Sequence, residues 1–276
     1  MNKLKMFALA LVTFLGLSSV ANAETLLLAY DDFVGTTFWV ISMGTLAATV
    51  FFFLERESTA AGWKPSVTVV GLVTGIAFIH YMYVRDIWVQ TGDAPTVYRY
   101  IEWLITMPMQ MIVFYLILDA VRKVSSGMFW RLLIGSLVMV LGGYLGEAGH
   151  INTMLGFVIW MAGWIFVLYE IFSGEAGKVA ARSGSKPFVT AFGTLRMIVT
   201  VGWVIYPLGY IFGQETGGVD PSSLNIIYNL ADFVNKIAFC SLGSTPSTIH
   251  SIGLGVVLLA SISVITTNTP SRSFGG

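Results

Sequence analysis

The stretch LNIIYNLADFVNKI, residues 224–237, carries an acid and a lysine inside an otherwise largely apolar run. Asp232 and Lys236 are four residues apart, so on a helix they lie one turn apart on the same face. A charged side chain in the middle of a membrane costs at least a few kcal/mol, so each such residue indicates a function. One interpretation is an ion pair that only neutralises the lysine. Because buried ion pairs seldom stabilise a fold, a reactive lysine is the better interpretation.

The composition around this stretch is that of a membrane protein. Of the 276 residues, 55% are hydrophobic and only 11% are charged, which is too apolar for a soluble chain of this length. The formal net charge is zero and no basic run occurs, which excludes a nucleic-acid-binding protein. Cys240 is the only cysteine, so neither an internal disulfide nor a cysteine metal cluster can form, and no metal site is expected.

Apolar segments of spanning length recur along the chain, and they predict the fold class. A transmembrane helix needs about 20 apolar residues. Seven segments meet this length: residues 33–54, 66–85, 97–118, 129–147, 151–173, 188–212 and 224–244. The sequence therefore predicts an all-α membrane protein, a bundle of seven transmembrane helices in one domain.

The charges in the connections predict the orientation of this bundle. The connections after the first, third and fifth segments contain Arg56, Lys64, Arg122, Lys123, Lys178, Arg182 and Lys186. Those after the second and sixth contain Asp86, Asp93, Glu215 and Asp220. Because positive loops face the cytoplasm, the N-terminus is expected outside and the C-terminus inside.

Both ends of the chain differ from the bundle. Residues 1–23 begin with lysines, continue with an apolar stretch of about 15 residues and end in the small-residue motif ANA, as a cleaved signal peptide does. The alternative is a retained first membrane helix. We expect residues 24–245 to form the mature bundle domain. Residues 246–276 form a tail of uncertain structure, and within it 249–266 are apolar enough to be a borderline eighth span.

The third segment carries a polar stripe made of Arg99, Glu102, Thr106 and Gln110. Their spacings of three, four and four residues place them on one helix face. Lipid would not tolerate that face, so it points into the bundle. A lysine in an apolar core can condense with an aldehyde to form a Schiff base. Retinal is an aldehyde of suitable length for the centre of a bundle.

If retinal binds Lys236, the polar residues around the lysine have distinct expected roles. A protonated Schiff base on Lys236 needs a carboxylate counterion, and Asp232 is placed to be one. Glu102 is expected to be a second counterion and the acceptor of the Schiff-base proton. Arg99, one turn outward, would keep both carboxylates ionised and act as a gate. His80 is expected to hydrogen-bond Glu102, although buried histidines are often only structural.

Aromatic side chains and a proline are arranged as the walls of a long apolar slot would be. These are Trp103, Trp203 and Tyr206 with Pro207. Ordinary packing or anchoring at the membrane interface is the alternative for any single tryptophan. Only their coincidence with Lys236 favours a binding pocket.

Longer strings connect these residues to a known family. They are GLVTGIAFIHYMYVR (71–85), TGDAPTVYRYIEWLITMP (91–108), GYLGEAG (143–149) and GWVIYPLGY (202–210), together with the opening stretch. In these strings, and over residues from about 33 to 239, the chain resembles the microbial rhodopsins, and most closely the proteorhodopsins.

The resemblance implies a role for each site residue. Lys236 would carry all-trans retinal, Asp232 and Glu102 would form the counterion complex, and Glu102 would be the primary proton acceptor with His80 as its partner. The residues matching the retinal pocket are Tyr81, Trp103, Thr106, Gln110, Trp203, Tyr206 and Pro207. Glutamine at the position of Gln110 accompanies blue-shifted absorption. The resemblance also implies a homo-pentamer or hexamer, in which Trp39 approaches the neighbouring subunit's histidine.

Three positions depart from the family pattern. Glu102 stands where aspartate is usual, which preserves the carboxylate. Val113 occupies the position of the cytoplasmic proton donor, so reprotonation is expected to be slow. Arg196 lies seven residues before Trp203, and it either reaches the cytoplasmic interface or points inward and opposes proton uptake near Val113.

The sequence therefore predicts a multi-pass protein of the bacterial inner membrane that acts as a light-driven outward proton pump, not as an enzyme. Its partners are protons and the lipid bilayer. The alternative is a photosensory rhodopsin with a slow cycle and little or no net transport. Chloride and sodium pumping are disfavoured by the carboxylate of Glu102 and by Thr106. The direction of transport stays open at this point.

Overall fold

The computed structural model describes residues 28–29, 31–93, 96–215 and 218–244. The predicted signal peptide and the tail from residue 246 onward lie outside this part of the chain. The described residues are almost entirely helical. The main helices are α1 (Phe33–Ser58), α2 (Lys64–Thr91), α3 (Val97–Val121), α4 (Ser126–Glu147), α5 (Thr153–Phe172), α6 (Glu175–Ala181), α7 (Lys186–Met197), α8 (Ile205–Tyr210) and α9 (Pro221–Ser244).

The sixth spanning helix is built from several pieces. It begins with α7, continues through a π-helical segment at Ile198–Gly202 into α8, and ends in a second π-helical segment at Ile211–Glu215. Short α6 lies in the connection before it, and a 3-10 turn at Ala61–Trp63 precedes α2. With the sixth helix counted as one span, the predicted bundle of seven helices is confirmed.

Polar side chains and a glycine define the helix ends. The Asp32 carboxylate accepts a hydrogen bond from the Gly35 amide at 2.8 Å and starts α1. Gly92 ends α2 with a φ of 69°, a left-handed conformation that glycine adopts without a steric penalty. Before α9, Asp220 accepts a bond from the Ser223 amide at 3.0 Å. Hydrogen bonds from Ser223 lower the pKa of the Asp220 carboxyl.

The helices pack in chain order, and α9 closes the bundle against α1 and α2. Six of the described helical segments are long and apolar enough to cross a membrane. The seventh, α9, is more polar because its buried residues include Asn225, Asn229, Asp232, Asn235 and Lys236. The polar side chains of α9 therefore point into the bundle, away from the lipid.

Candidate functional site

The side chain of Lys236 lies in the centre of the bundle between two carboxylates. Its Nζ is 2.7 Å from Glu102 Oε2 and 2.7 Å from Asp232 Oδ2, and the lysine is only 2% exposed. Glu102 comes from α3 and Asp232 from the preceding turn of α9. Three charges buried together are tolerated only because they pair with one another. The structure thus brings together the three residues on which the sequence prediction depended.

The two carboxylates differ in how many donors they have. Asp232 accepts a bond on Oδ1 from the Tyr206 hydroxyl at 2.6 Å. On Oδ2 it accepts bonds from the Tyr81 hydroxyl and from Trp103 Nε1 at 3.3 Å, besides the contact to Lys236. Glu102 binds Lys236 through Oε2, whereas its Oε1 has no hydrogen-bond partner among the described residues. Asp232 is therefore held as an anion, and Glu102 has an oxygen free to take a proton.

Arg99 lies one turn from Glu102 on α3 and is 1% exposed. One guanidinium nitrogen donates to the Tyr81 hydroxyl at 2.9 Å. The other donates to Asn225 Oδ1 at 2.9 Å and Asn229 Oδ1 at 2.7 Å. Arg99 is predicted to keep the two carboxylates ionised. In the structure it is linked to Asp232 through the Tyr81 hydroxyl, which accepts from Arg99 and donates to Asp232. The sequence prediction missed Asn225 and Asn229, although their spacing from Asp232 and Lys236 places all four on one helix face.

His80 lies close to the site but does not form the predicted hydrogen bond to Glu102. It is 8% exposed, and its ring packs edge-on against Tyr81 with the centroids 5.7 Å apart. Its Nε2 has no partner in the described part of the chain. In this arrangement the imidazole neighbours the ring of Tyr81 rather than the carboxylate of Glu102. Its role as the acceptor's partner stays a prediction.

Beside this cluster lies a narrow apolar cavity. It is lined by Met107, Met139, Trp160, Trp164, Trp203, Tyr206 and Pro207. Three of the predicted pocket residues, Trp203, Tyr206 and Pro207, are therefore in its wall. Met107, Met139, Trp160 and Trp164 were not predicted, because one tryptophan or methionine among many in a membrane bundle carries no distinguishing signal.

The other predicted pocket residues, Tyr81, Trp103, Thr106 and Gln110, are all buried in the bundle. Trp103 packs on Tyr206 with ring centroids 5.0 Å apart. Thr106 is fully buried and donates to the Glu102 carbonyl at 3.1 Å. Gln110 is 2% exposed, and its Nε2 has no partner in the described residues. A buried amine between two acids, next to an apolar wall with an unpaired amide, suits a long apolar aldehyde bound through the amine.

The half of the bundle beyond Gln110, predicted to be cytoplasmic, is closed by apolar side chains. Val113 is fully buried, and a Cβ on Gly243 would come within 2.6 Å of it, so α3 and α9 approach closely there. Phe114 packs against Phe192 at 5.3 Å and against Phe239 at 5.5 Å between ring centroids. We define Phe114, Phe192 and Phe239 as the aromatic seal.

Arg196 is partly exposed at the edge of this half. Its guanidinium lies over the rings of Phe172 and Phe192, at 4.9 and 5.2 Å from their centroids. No ion pair to it occurs among the described residues. Glu170, a carboxylate in the same region, instead accepts a hydrogen bond from Arg131 at 2.9 Å. Arg196 is therefore held by aromatic rings and not by an acid.

Among the described residues, no group of three His, Cys, Asp or Glu side chains is placed to hold a metal ion. The groups with proton-transfer chemistry at the site are the Lys236 amine and the carboxylates of Glu102 and Asp232. Proton transfer between Lys236 Nζ and Glu102 Oε2 requires no movement of the heavy atoms beyond hydrogen-bond distance.

Comparison with known proteins identifies relatives across this region. A family model described as "Bacteriorhodopsin-like protein" matches residues 32–245. The chain is 53% identical over 211 residues to the blue-light absorbing proteorhodopsin of Gamma-proteobacterium Hot 75m4, covering 76% of this chain and 84% of that protein. It is 50% identical over 210 residues to the green-light absorbing proteorhodopsin of Gamma-proteobacterium EBAC31A08, with the same coverage of 76% and 84%.

Solved structures agree with these matches. The crystal structure of the blue light-absorbing proteorhodopsin from Med12 aligns with a TM-score of 0.64 and 45% identity, covering 84% of this chain and 100% of that one. The Exiguobacterium sibiricum rhodopsin aligns with a TM-score of 0.68 and 30% identity, covering 83% and 98%.

Proposed function

Since the chain belongs to the bacteriorhodopsin-like family, we propose that it is a light-driven proton pump of proteorhodopsin type that moves protons outward. Retinal is its cofactor, and the chain is a multi-pass membrane protein. When bound at Lys236 Nζ, all-trans retinal supplies the absorption of visible light and the isomerisation that follows. The single observation that carries the proposal is the 2.7 Å contact between Lys236 Nζ and Glu102 Oε2 in the interior of the bundle.

Glu102 is the proposed proton acceptor. Its Oε2 already contacts Lys236 Nζ, and within the described part of the chain its Oε1 has no partner that would hold the carboxylate as an anion. Asp232 is the proposed permanent counterion, since hydroxyl and indole donors surround both its oxygens. A proton leaving Nζ therefore goes to Glu102 and leaves the charge on Asp232 in place.

Arg99 and the asparagines of α9 are the proposed start of the exit route. From Asn229, whose amide also donates to Thr37 Oγ1 at 2.8 Å, polar contacts continue toward the side predicted to be outside. On the opposite side, Val113 and the aromatic seal separate Lys236 from the predicted cytoplasmic surface. A polar route on one side and an apolar barrier on the other support outward release and slow reprotonation.

The blue-shifted absorption is proposed from Gln110. Its side chain is buried, its Nε2 has no partner among the described residues, and it lies on the same face of α3 as Glu102 and Thr106. The name of the relative with 53% identity, a blue-light absorbing proteorhodopsin, supports the same proposal.

The assembly and the processing of the chain are also proposals. Trp39 is 44% exposed on α1, which leaves it accessible to a neighbouring subunit in a pentamer or hexamer. We take residues 24–245 as the mature retinal-binding domain, with the N-terminus outside and the C-terminus inside.

A photosensory role is the second candidate, and the aromatic seal is the observation that favours it. With an apolar barrier and no carboxylate at position 113, the deprotonated state would persist and could accumulate as a signal. Net transport would then be small even though light absorption and proton transfer to Glu102 occur.

The decisive experiment measures light-induced pH changes in weakly buffered cells that express the protein with added all-trans retinal. Acidification of the medium that a protonophore abolishes is the expected result. Cells that express the Lys236→Ala variant are the control for any effect of light alone. A pigment that bleaches and recovers in light without any pH change would exclude pumping and leave the sensor.

A further inference from the structure

The sixth spanning helix changes its hydrogen-bond pattern next to the cavity. At Ile198–Gly202 the turn is π-helical, and the Trp203 amide bonds the Ile198 carbonyl, five residues back, at 3.1 Å. A π-helical turn disturbs the regular ladder, and backbone carbonyls inside a membrane must find other donors. The partners of this segment therefore show what holds it in place.

Two side chains from neighbouring helices provide those donors. Trp164 of α5 donates from Nε1 to the Val199 carbonyl at 3.0 Å. Asn235 of α9 donates from Nδ2 to the Gly202 carbonyl at 2.9 Å. A Cβ on Gly202 would collide with Asn235 Oδ1, so a larger residue there would displace the Asn235 amide from its present position. The π-helical segment is thus bonded from both flanking helices.

Asn235 has a second bond that Trp164 lacks. The same Nδ2 donates to the Tyr206 hydroxyl at 3.3 Å, and that hydroxyl donates to Asp232 Oδ1 at 2.6 Å. Asn235 is 4% exposed and directly precedes Lys236 in the chain. One amide therefore joins three parts of the site: the lysine-bearing helix, the π-helical segment and the hydroxyl that holds the counterion.

We propose that Asn235 is a positioning residue that ties the π-helical segment of the sixth helix to the Tyr206–Asp232 pair and thereby sets the rate of return to the dark state. The inference rests on the proposed binding of retinal at Lys236. Loss of the positive charge at Lys236 weakens its contact with Asp232, which is bonded to Tyr206 and through Tyr206 to Asn235. The bonds of Asn235 re-form during the return, so they accelerate it.

The first test compares variants of the purified, retinal-loaded protein by flash spectroscopy. Asn235→Leu removes the amide at similar volume and with it the bonds to Gly202 and Tyr206. We expect the state formed after proton transfer to decay about tenfold more slowly or slower still, as the loss of buried hydrogen bonds predicts. Thr200→Val is the matched control, because it removes only a bond within the sixth helix, from Thr200 Oγ1 to the Arg196 carbonyl at 2.7 Å. Its decay should stay within about twofold of wild type, since the links to α9 remain.

Two results would overturn the proposal: an unchanged decay in Asn235→Leu, or an equal slowing in Thr200→Val. Asn235→Ser, which keeps one donor and makes a smaller change, is expected to fall between wild type and Asn235→Leu. The Tyr206→Phe background adds a test of mechanism, since Asn235→Leu should slow decay much less there than in wild type. If the slowing factors of Asn235→Leu and Tyr206→Phe simply multiply in the double variant, Asn235 does not act through Tyr206.

A final readout does not depend on the cofactor. Labelling glycine carbonyl carbon with ¹³C and tryptophan nitrogen with ¹⁵N selects the Gly–Trp pairs that begin at Gly62, Gly163 and Gly202. In retinal-free protein, Asn235→Leu should shift the carbonyl resonance of Gly202 and leave the other two in place. An unshifted Gly202 resonance would exclude the bond. If wild type itself forms no visible pigment with retinal, the proposed function fails, whereas the Gly202 result still stands.

Discussion

At the residue scale, the two carboxylates next to Lys236 differ in their hydrogen-bond donors, and this difference supports the proposed role of Glu102 as proton acceptor. Asp232 and Glu102 are equally close to Lys236 Nζ, at 2.7 Å each. Asp232 differs in having hydroxyl and indole donors on both oxygens, each of which stabilises the anion more than the neutral acid. The proposed division of roles therefore rests on the hydrogen-bond donors and not on distance.

Glu102→Gln is the direct test of this division. Glutamine has nearly the same shape but cannot take up the proton, so light-driven acidification should fall by at least about a hundredfold, the usual contribution of a positioned acid or base. Flash spectroscopy should show no deprotonated intermediate. Glu102→Asp is the control and should retain transport. Acidification at the wild-type rate in Glu102→Gln would assign the acceptor role elsewhere.

Lys236→Ala tests the attachment point. Without the buried amine no covalent bond to retinal can form, and the purified protein with added retinal should have no absorption band in the visible range. Lys186→Ala, at the exposed start of α7, is the matched lysine control and should bind retinal as wild type does. A visible band of wild-type intensity in Lys236→Ala would refute the assignment.

At the scale of the elements, glycines determine how closely α4 and α5 approach. A Cβ on Gly163 would lie 2.6 Å from the Met139 amide nitrogen, and Gly142 and Gly156 are crowded in the same interface. At Gly163 and Gly156 the added Cβ would lie against backbone atoms of the neighbouring helix, which cannot rotate away as a side chain can. In a membrane, where lipid is as apolar as the side chains, such close packing is a main source of helix association.

Gly163→Ala is therefore expected to lower stability by about 1–3 kcal/mol, the usual cost of overpacking. The matched control is Gly193→Ala in α7, where nothing lies within 4 Å of the added Cβ. There the change should be neutral, or stabilising by at most about 1 kcal/mol because alanine favours a helix. Thermal denaturation of the two variants in one detergent makes the comparison. Equal melting temperatures would show that α4 and α5 can separate at little cost.

The sixth helix shows what segment length alone does not reveal. Residues 188–212 were predicted as one apolar span, and the span exists, yet it contains the π-helical segment Ile198–Gly202 and the short helix α8. Pro207 indicates a disturbance, since proline has no amide hydrogen. The position of the π-helical turn, however, depends on donors from Trp164 and Asn235 on other helices.

At the scale of the whole molecule, the two halves of the bundle differ in polarity, and therefore in how readily a proton is expected to pass through them. On the predicted outer side, Arg99 is surrounded by hydroxyl and amide groups. On the predicted inner side, Val113 and the aromatic seal are apolar and buried, and position 113 has no carboxylate. Uptake through an apolar barrier requires water to enter, so this half is expected to limit turnover.

Val113→Glu is expected to shorten the recovery of the dark state by about tenfold or more, because a carboxylic acid there can donate a proton. Val113→Gln is the control for size and polarity. It causes the same crowding against Gly243 but has no proton to give, so its recovery should stay close to that of wild type. Flash spectroscopy of both variants provides the measurement. Equal acceleration by Gln and Glu would mean that entry of water, not a donor, limits the cycle.

The sequence by itself determined that the chain is a membrane protein and how many spans it has, and it singled out Lys236, Asp232 and Glu102 as the candidate site. The length of an apolar segment and a charge within it can both be read from the local sequence. The sequence also indicated the pocket residues Trp203, Tyr206 and Pro207. Only the tertiary structure decided that both oxygens of Asp232 have donors while Oε1 of Glu102 has none among the residues that the structure describes. The same holds for the missing bond between His80 and Glu102 and for the bonds of Asn235. Each depends on the distance between atoms of different helices, and that distance is set by the packing of the whole bundle.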